Sequence, residues 1–198
     1  MLNMSLRKQK TEKKRIEMLR SAAKIVKEKG YDRATMDDIA AELLMTKGSL
    51  YYYFDSKEQL VFQCHELIFN EAITVMEEIS RMDLPAHAKI EKAIITHIKF
   101  LINERDMFNM IIQPEQLFIE ENHLRSVLEQ REKITSIIDR IIEEGLSKGE
   151  FSVSDPKMAR MMILGAMNWI QTWYSTDGKY SEKEIANIYS NSLIKLLL

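Results

Sequence analysis

The chain has 198 residues, 45% apolar and 29% charged, the balance of a globular protein with a sizeable core rather than of a disordered chain. No apolar run approaches the roughly 20 residues of a membrane span. The N-terminal MLNMSLRKQKTEKKR has no apolar signal-peptide centre behind it, and the one cysteine, Cys64, excludes an intrachain disulfide and a thiolate metal cluster, so a cytoplasmic protein without membrane attachment is expected.

Six Gly and three Pro punctuate the sequence, and apolar positions recur at spacings of three and four, so the fold class is all-α. The first helix is predicted over 11–29, with Ile16, Leu19, Ala23 and Val26 on one face and Gly30 as its stop. Thr35 caps a short helix with Asp38 at the capping-box position and Ile39, Ala40 and Leu43 turned inward. Thr46 caps a third helix ending near Tyr53, and Ser56 opens a long one with Gln59 as reciprocal cap, running towards Pro85. Further helices are predicted over 86–103, 106–112, 123–148 and 156–174, the last of these introduced by Asp155-Pro156; Ser181 caps the final helix.

The net charge of −2 conceals a split: residues 1–57 hold 13 Lys and Arg against 8 Asp and Glu, and the rest hold 15 against 22. A polyanion would approach the N-terminal end, since neutralised phosphates supply most nonspecific nucleic-acid affinity; a solvated basic tail is the other reading. Residues 35–54, TMDDIAAELLMTKGSLYYYF, read as two short helices joined by a tight corner, a helix-turn-helix. The second helix of that motif enters the major groove, with Leu50 and Phe54 as its anchors and Lys47, Ser49, Tyr51 and Tyr52 facing outward. Three successive tyrosines, Tyr51 to Tyr53, cannot all point inward when residues are about 100° apart around the axis. Free N–H groups at the helix starts following Thr35, Thr46 and Ser56 are candidate phosphate contacts, with Lys57 beside them.

The segment from Ile16 to Leu60 resembles the DNA-binding domain of the TetR family. The matching residues are Gly30-Tyr31, Thr35, Ile39-Ala40, the run from Lys47 to Phe54, and Lys57-Glu58-Gln59-Leu60. The resemblance implies base-edge contacts from Ser49 and Tyr51, a base or phosphate contact from Lys47, and phosphate contacts from Thr35, Tyr52, Tyr53 and Lys57. It departs at the corner, where Leu44 stands in place of the usual Gly; a left-handed conformation there costs a non-Gly residue about 1–2 kcal/mol.

The expected organisation is a DNA-binding domain over 1–57 and a ligand-binding and dimerisation domain over 58–198. One recognition helix reads too few bases for tight binding, so a homodimer on a palindromic double-stranded operator is expected. Its interface is assigned to the last two helices: Met158, Met161, Met162, Gly165, Trp169 and Trp173 on one, Ile185, Ile188, Tyr189, Leu193 and Leu196 on the other, with an intrachain core as the alternative. Candidate effector contacts are Phe100, Phe108, Met110, Ile111, Ile112, Phe118 and Trp169, with His97 and Asn168 as polar anchors; the same residues would make an ordinary core. The stretch from Gly165 to Tyr174, followed by Asp177-Gly178, resembles TetR-type regulators of fatty-acid degradation that respond to acyl-coenzyme A, for which Arg125, Arg131 or Lys133 would meet the phosphates. The resemblance implies a repressor released by a small hydrophobic ligand. The sequence shows no glycine-rich phosphate loop, no Gly-x-Ser-x-Gly elbow and no short metal-ligand spacing among His65, His87, His97 and His123, so neither an enzyme nor a bound cofactor is expected. The competing class is a helical scaffold without DNA affinity.

Overall fold

The computed structural model describes residues 6–109 and 120–198, and the regular elements among them are all helices. In chain order they are α1 (Leu6–Lys29), α2 (Met36–Glu42), α3 (Lys47–Tyr51), α4 (Lys57–Ser80), α5 (Ala86–Asn103), α6 (Arg105–Asn109), α7 (Glu121–Ser147), α8 (Pro156–Trp173) and α9 (Glu182–Leu193), ending in a 3-10 turn at Ile194–Leu196. None of the described helices is long and apolar enough to cross a membrane. The expected starts fall where the caps are: Thr35 and Ser181 each form a complete capping box, and Asp155 accepts from the Met158 N–H with Pro156 opening α8. α1 begins at Leu6, earlier than Thr11, because the basic run continues the helix. Gly30 closes it with φ +79°.

One cap differs from expectation. The Gln59 backbone donates to Ser56 Oγ at 3.0 Å, but its side chain reaches past Ser56, accepting from the Asp55 N–H at 2.6 Å and donating to the Asp55 carboxylate at 3.1 Å. The cap is therefore wound one residue wider than the simple reciprocal pair.

The chain separates into two compact units. The first comprises the described residues up to Ile68 together with those between Asp106 and Val127; the second comprises Phe69–Arg105 and Leu128–Leu198. The division thus falls inside α4. The reason is packing: Leu60, Val61 and Cys64 are fully buried, and Cys64 Sγ lies 3.4 Å from the Leu19 carbonyl oxygen of α1. Burial pushes the Cys64 thiol pKa up, which leaves it an inert filler.

In the first unit, Leu19, Ala22, Ala23 and Val26 of α1, Ile39 and Ala40 of α2, Leu50, and Phe54 are buried together with those α4 residues. The second unit has a continuous apolar core that includes Met76, Ile90, Ile94 and Ile98, Ile137, Ile138 and Ile141, and Ile163, Met167 and Ile170, closed by Ile185, Ile194 and Leu197. At the start of α5 there is no side chain able to cap from within, because Pro85 precedes it. The Glu150 carboxylate takes that role, accepting from the His87 N–H at 3.1 Å and lying 2.9 Å from His87 Nδ1. Gly145 makes the approach of that segment possible, since a methyl group there would overlap the Phe151 ring.

Candidate nucleic-acid interface

α3 is held from its apolar side and open on the other. Leu50 and Phe54 are fully buried, while Lys47, Ser49, Tyr51 and Tyr52 are exposed, Tyr52 to 84%. Tyr53 is half-buried, its ring edge-on to Tyr52 at 5.3 Å between centroids. The tyrosine run thus divides as the 100° argument requires, with two rings outward and one at the boundary.

The polar groups of the motif are mostly engaged within it. The Thr35 hydroxyl accepts from the Asp38 N–H at 3.1 Å and donates to the Asp38 carboxylate at 2.8 Å. The Lys29 ammonium, 2.6 Å away, and then Thr35 hold the Asp38 carboxyl down at about 2. Thr46 accepts from the Ser49 N–H at 3.2 Å, and the two hydroxyls are 2.9 Å apart. Lys47 pairs with Asp37 at 2.6 Å, which raises its pKa. Both partners are more than half exposed, and an exposed ion pair contributes at most about 1 kcal/mol, so Lys47 can turn to a phosphate at small cost.

Lys57 is different. Its ammonium donates to the carbonyls of Tyr31 at 2.6 Å and Ala34 at 3.0 Å, and sits 4.2 Å from the Tyr31 ring centre. It staples the α1–α2 turn from the first position of α4. Burial and then the Glu58 carboxylate push the Tyr31 pKa up. The corner between α2 and α3 has Leu44 at φ 52° with its side chain 95% exposed, so the backbone takes the left-handed form without any packing in return.

In the second unit the expected effector residues divide. His97 is buried, and Nε2 lies 3.3 Å from Asn168 Oδ1; Nδ1 is buried with no hydrogen-bond partner. Burial lowers its pKa, against the opposing hydrogen bond to Asn168, so the imidazole is neutral. Phe100 packs at the edge of the core, Phe108 is half-buried, and Asn168 and Trp169 are exposed on α8. Met110, Ile111, Ile112 and Phe118 lie outside the described residues. Along the His97 face of α5, Ile90, Ala93 and Ile94 join Met76, Ile138, Ile163 and Met167 around an apolar cavity of about 10 Å³, room for about one water.

The expected interface residues divide too. Met158, Met161, Met162, Trp169, Trp173 and Ile188 are each 44–63% exposed, and Leu196 is 36% exposed. Ile185 is corrected to the intrachain core at 3% exposure, and Tyr189 and Leu193 pack against that core. The period of α9 turns Ile185 one way and Ile188 the other. Sequence reading gave no partner to Glu58, Asp37 or Glu150; those partners are 10 or more residues away, beyond any local pattern.

A short helix anchored by Leu50 and Phe54, open on a Lys-Ser-Tyr face and preceded by a capped helix, defines a helix-turn-helix DNA-binding regulator. The family model for bacterial regulatory proteins, tetR family, matches residues 18–64, and that for the tetracyclin repressor-like C-terminal domain matches residues 83–197. The chain belongs to the TetR family, and as such is a DNA-binding transcriptional repressor. It is 28% identical over 195 residues to a fatty acid metabolism regulator protein of Bacillus subtilis, covering 93% of this chain and 94% of that one. Its fold is similar to that of the TetR-family regulator PfmR of Thermus thermophilus, with a TM-score of 0.82 at 23% identity over 90% of this chain and 97% of that one. AibR, solved with isovaleryl coenzyme A and operator DNA, is similar at TM-score 0.76 and 22% identity over 93% of this chain and 99% of that one.

Proposed function

We propose that the chain acts as a homodimeric repressor on a palindromic operator and is released by a hydrophobic acyl thioester, with DNA reading assigned to residues 1–57 and effector binding and dimerisation to 58–198. The observation that carries this reading is the pairing of an outward Lys-Ser-Tyr face on α3 with an exposed Met and Trp stripe on α8. An apolar stripe of that size is costly in water and useful between subunits. Two copies joined there would offer two recognition helices to half-sites about one DNA turn apart, roughly 34–36 Å.

Ser49 and Tyr51 read base edges, and Lys47 leaves Asp37 for a base or a phosphate. Thr35, Thr46, Tyr52 and Tyr53 sit at the phosphates, the two threonines through the backbone N–H groups they organise. Lys57 acts through the turn it staples. Trp169 is assigned to the dimer face; His97, Asn168, Phe100 and Phe108 remain the effector residues.

Support for an acyl thioester comes from the name of the Bacillus subtilis relative and from the isovaleryl coenzyme A bound to AibR. The core adds a physical argument. Ligand pockets run to roughly 300–1,000 Å³, against a cavity of about 10 Å³ here. An acyl chain entering at this cavity would part α5, α7 and α8, which ties effector binding to a rearrangement, as linkage between two sites requires. Neutral His97 has one nitrogen to donate and one to accept; with the Asn168 amide turned, Nδ1 donates to a thioester carbonyl.

The test is selection of bound duplexes from random DNA, then titration of the selected duplex at two salt concentrations with and without palmitoyl-coenzyme A. Salt-sensitive binding weakened by palmitoyl-coenzyme A is expected. Binding indifferent to it, and to isovaleryl-coenzyme A, removes the effector class; a chain that selects no sequence is a helical scaffold instead.

A further inference from the structure

Two successive side chains at the start of α4 hold different parts of the first unit. Lys57 holds the α1–α2 turn, as described. Glu58, next to it, reaches the beginning of α7: its Oε1 accepts from the Glu120 N–H at 3.0 Å and lies 3.3 Å from His123 Nδ1. The carboxylate thereby caps a 27-residue helix from another segment of the chain, the place where a negative charge is most favourable. The imidazole is held on further sides. Phe62, one turn along α4, stacks on it at 4.0 Å and 20°, and Glu120 Oε2 lies 3.6 Å from Nε2. Glu58 and His123 are 13% and 14% exposed, so the pair is largely shielded from water. Two turns on, Ser126 Oγ donates to Glu66 at 3.3 Å, and at the other flank of the same segment Asp106 pairs with Lys27 near the end of α1.

The recognition helix ends at Tyr51 and α4 begins at Lys57, so residues 52–56 alone separate them. Whatever fixes the first turn of α4 fixes the direction from which α3 is presented. A 1 Å displacement there is of the size that decides whether a side chain meets a base edge within hydrogen-bond reach.

We propose that Glu58 and His123 are positioning residues for operator recognition: clamped between them and the Lys57 staple, the start of α4 holds α3 at the angle that reads sequence. This inference rests on the operator-binding reading and needs no effector for its test.

The readout is the ratio of affinities for the selected duplex and for a scrambled one, measured by fluorescence anisotropy on the full chain. E58A and H123L are expected to lower the ratio about ten-fold, the size of one lost charge-assisted hydrogen bond, with scrambled-duplex affinity, helix content and mass in solution unchanged. H123N places an amide N–H where Nδ1 stood and is expected to keep the ratio within about two-fold of the parent chain. A merely structural role would lower both affinities together with the melting temperature. An unchanged ratio in H123L, or a loss that H123N does not restore, overturns the proposal even if E58A fails to fold. A parent chain that prefers no sequence overturns the operator reading, and the proposal with it.

Discussion

The Lys57 ammonium donates to the Tyr31 carbonyl oxygen at 2.6 Å and covers the ring of the same residue at 4.2 Å. A side chain that the family resemblance places on a phosphate is therefore the clasp of the turn that presents α2. Lys57→Ala is expected to lower both thermal stability and operator affinity while leaving the salt slope unchanged. Each phosphate contact contributes about 0.9 to that slope, so a fall of this size in the variant would return Lys57 to the phosphate contacts.

Leu44 holds a left-handed backbone with its side chain in water. Leu44→Gly removes the steric cost and loses no packing, against a larger unfolded-state entropy for glycine. The net expectation is a gain of about 1 kcal/mol, read as a higher urea midpoint with an unchanged m-value. A lower midpoint would mean that the exposed leucine is used.

Glu150 caps α5, and its carboxyl is pulled down to about 2 first by the His87 and Ala86 N–H groups and then by the His87 ring. A carboxyl depressed on folding contributes stability above its unfolded pKa near 4.5 and loses it as the pH falls towards 2. Glu150→Gln should therefore flatten the loss of stability of the parent chain between about pH 4.5 and 2, followed by circular dichroism during urea titration at each pH. Equal slopes for the two proteins would show that the cap survives protonation.

At Gly165 an added Cβ meets nothing within 4 Å. Gly165→Leu should leave the helix content of the single chain intact. If α8 meets α8 of a second copy there, the leucine pushes the helices apart, and light scattering should show the mass fall from that of a dimer towards that of a monomer. A variant that stays dimeric moves the contact elsewhere on the Met and Trp stripe.

His97 keeps a buried nitrogen without a partner, a state that costs about 1–3 kcal/mol. His97→Leu is expected to raise stability and to abolish the response of operator binding to palmitoyl-coenzyme A. Stabilisation with the response intact would make His97 an ordinary core histidine.

The sequence by itself determined the helices and the motif. Thr35 with Asp38, Thr46 with Ser49, Asp155 with Met158 and Ser181 with Glu184 are contacts three residues apart, and so are governed by local geometry that spacing reports. Leu50 and Phe54 inward with Tyr51 and Tyr52 outward follow from the same 100° step. Only the tertiary structure decided which polar groups remain free. Lys57 closes over Tyr31 across 26 residues, Glu58 finds His123 across 65, and Glu150 caps a helix that begins 64 positions before it. It also decided that Ile185 is core while Ile188 is exposed, because periodicity tells an apolar face apart from a polar one and does not say whether that face is covered by the same chain. Charged side chains are long and pair by proximity, and proximity across tens of residues is set by how helices pack.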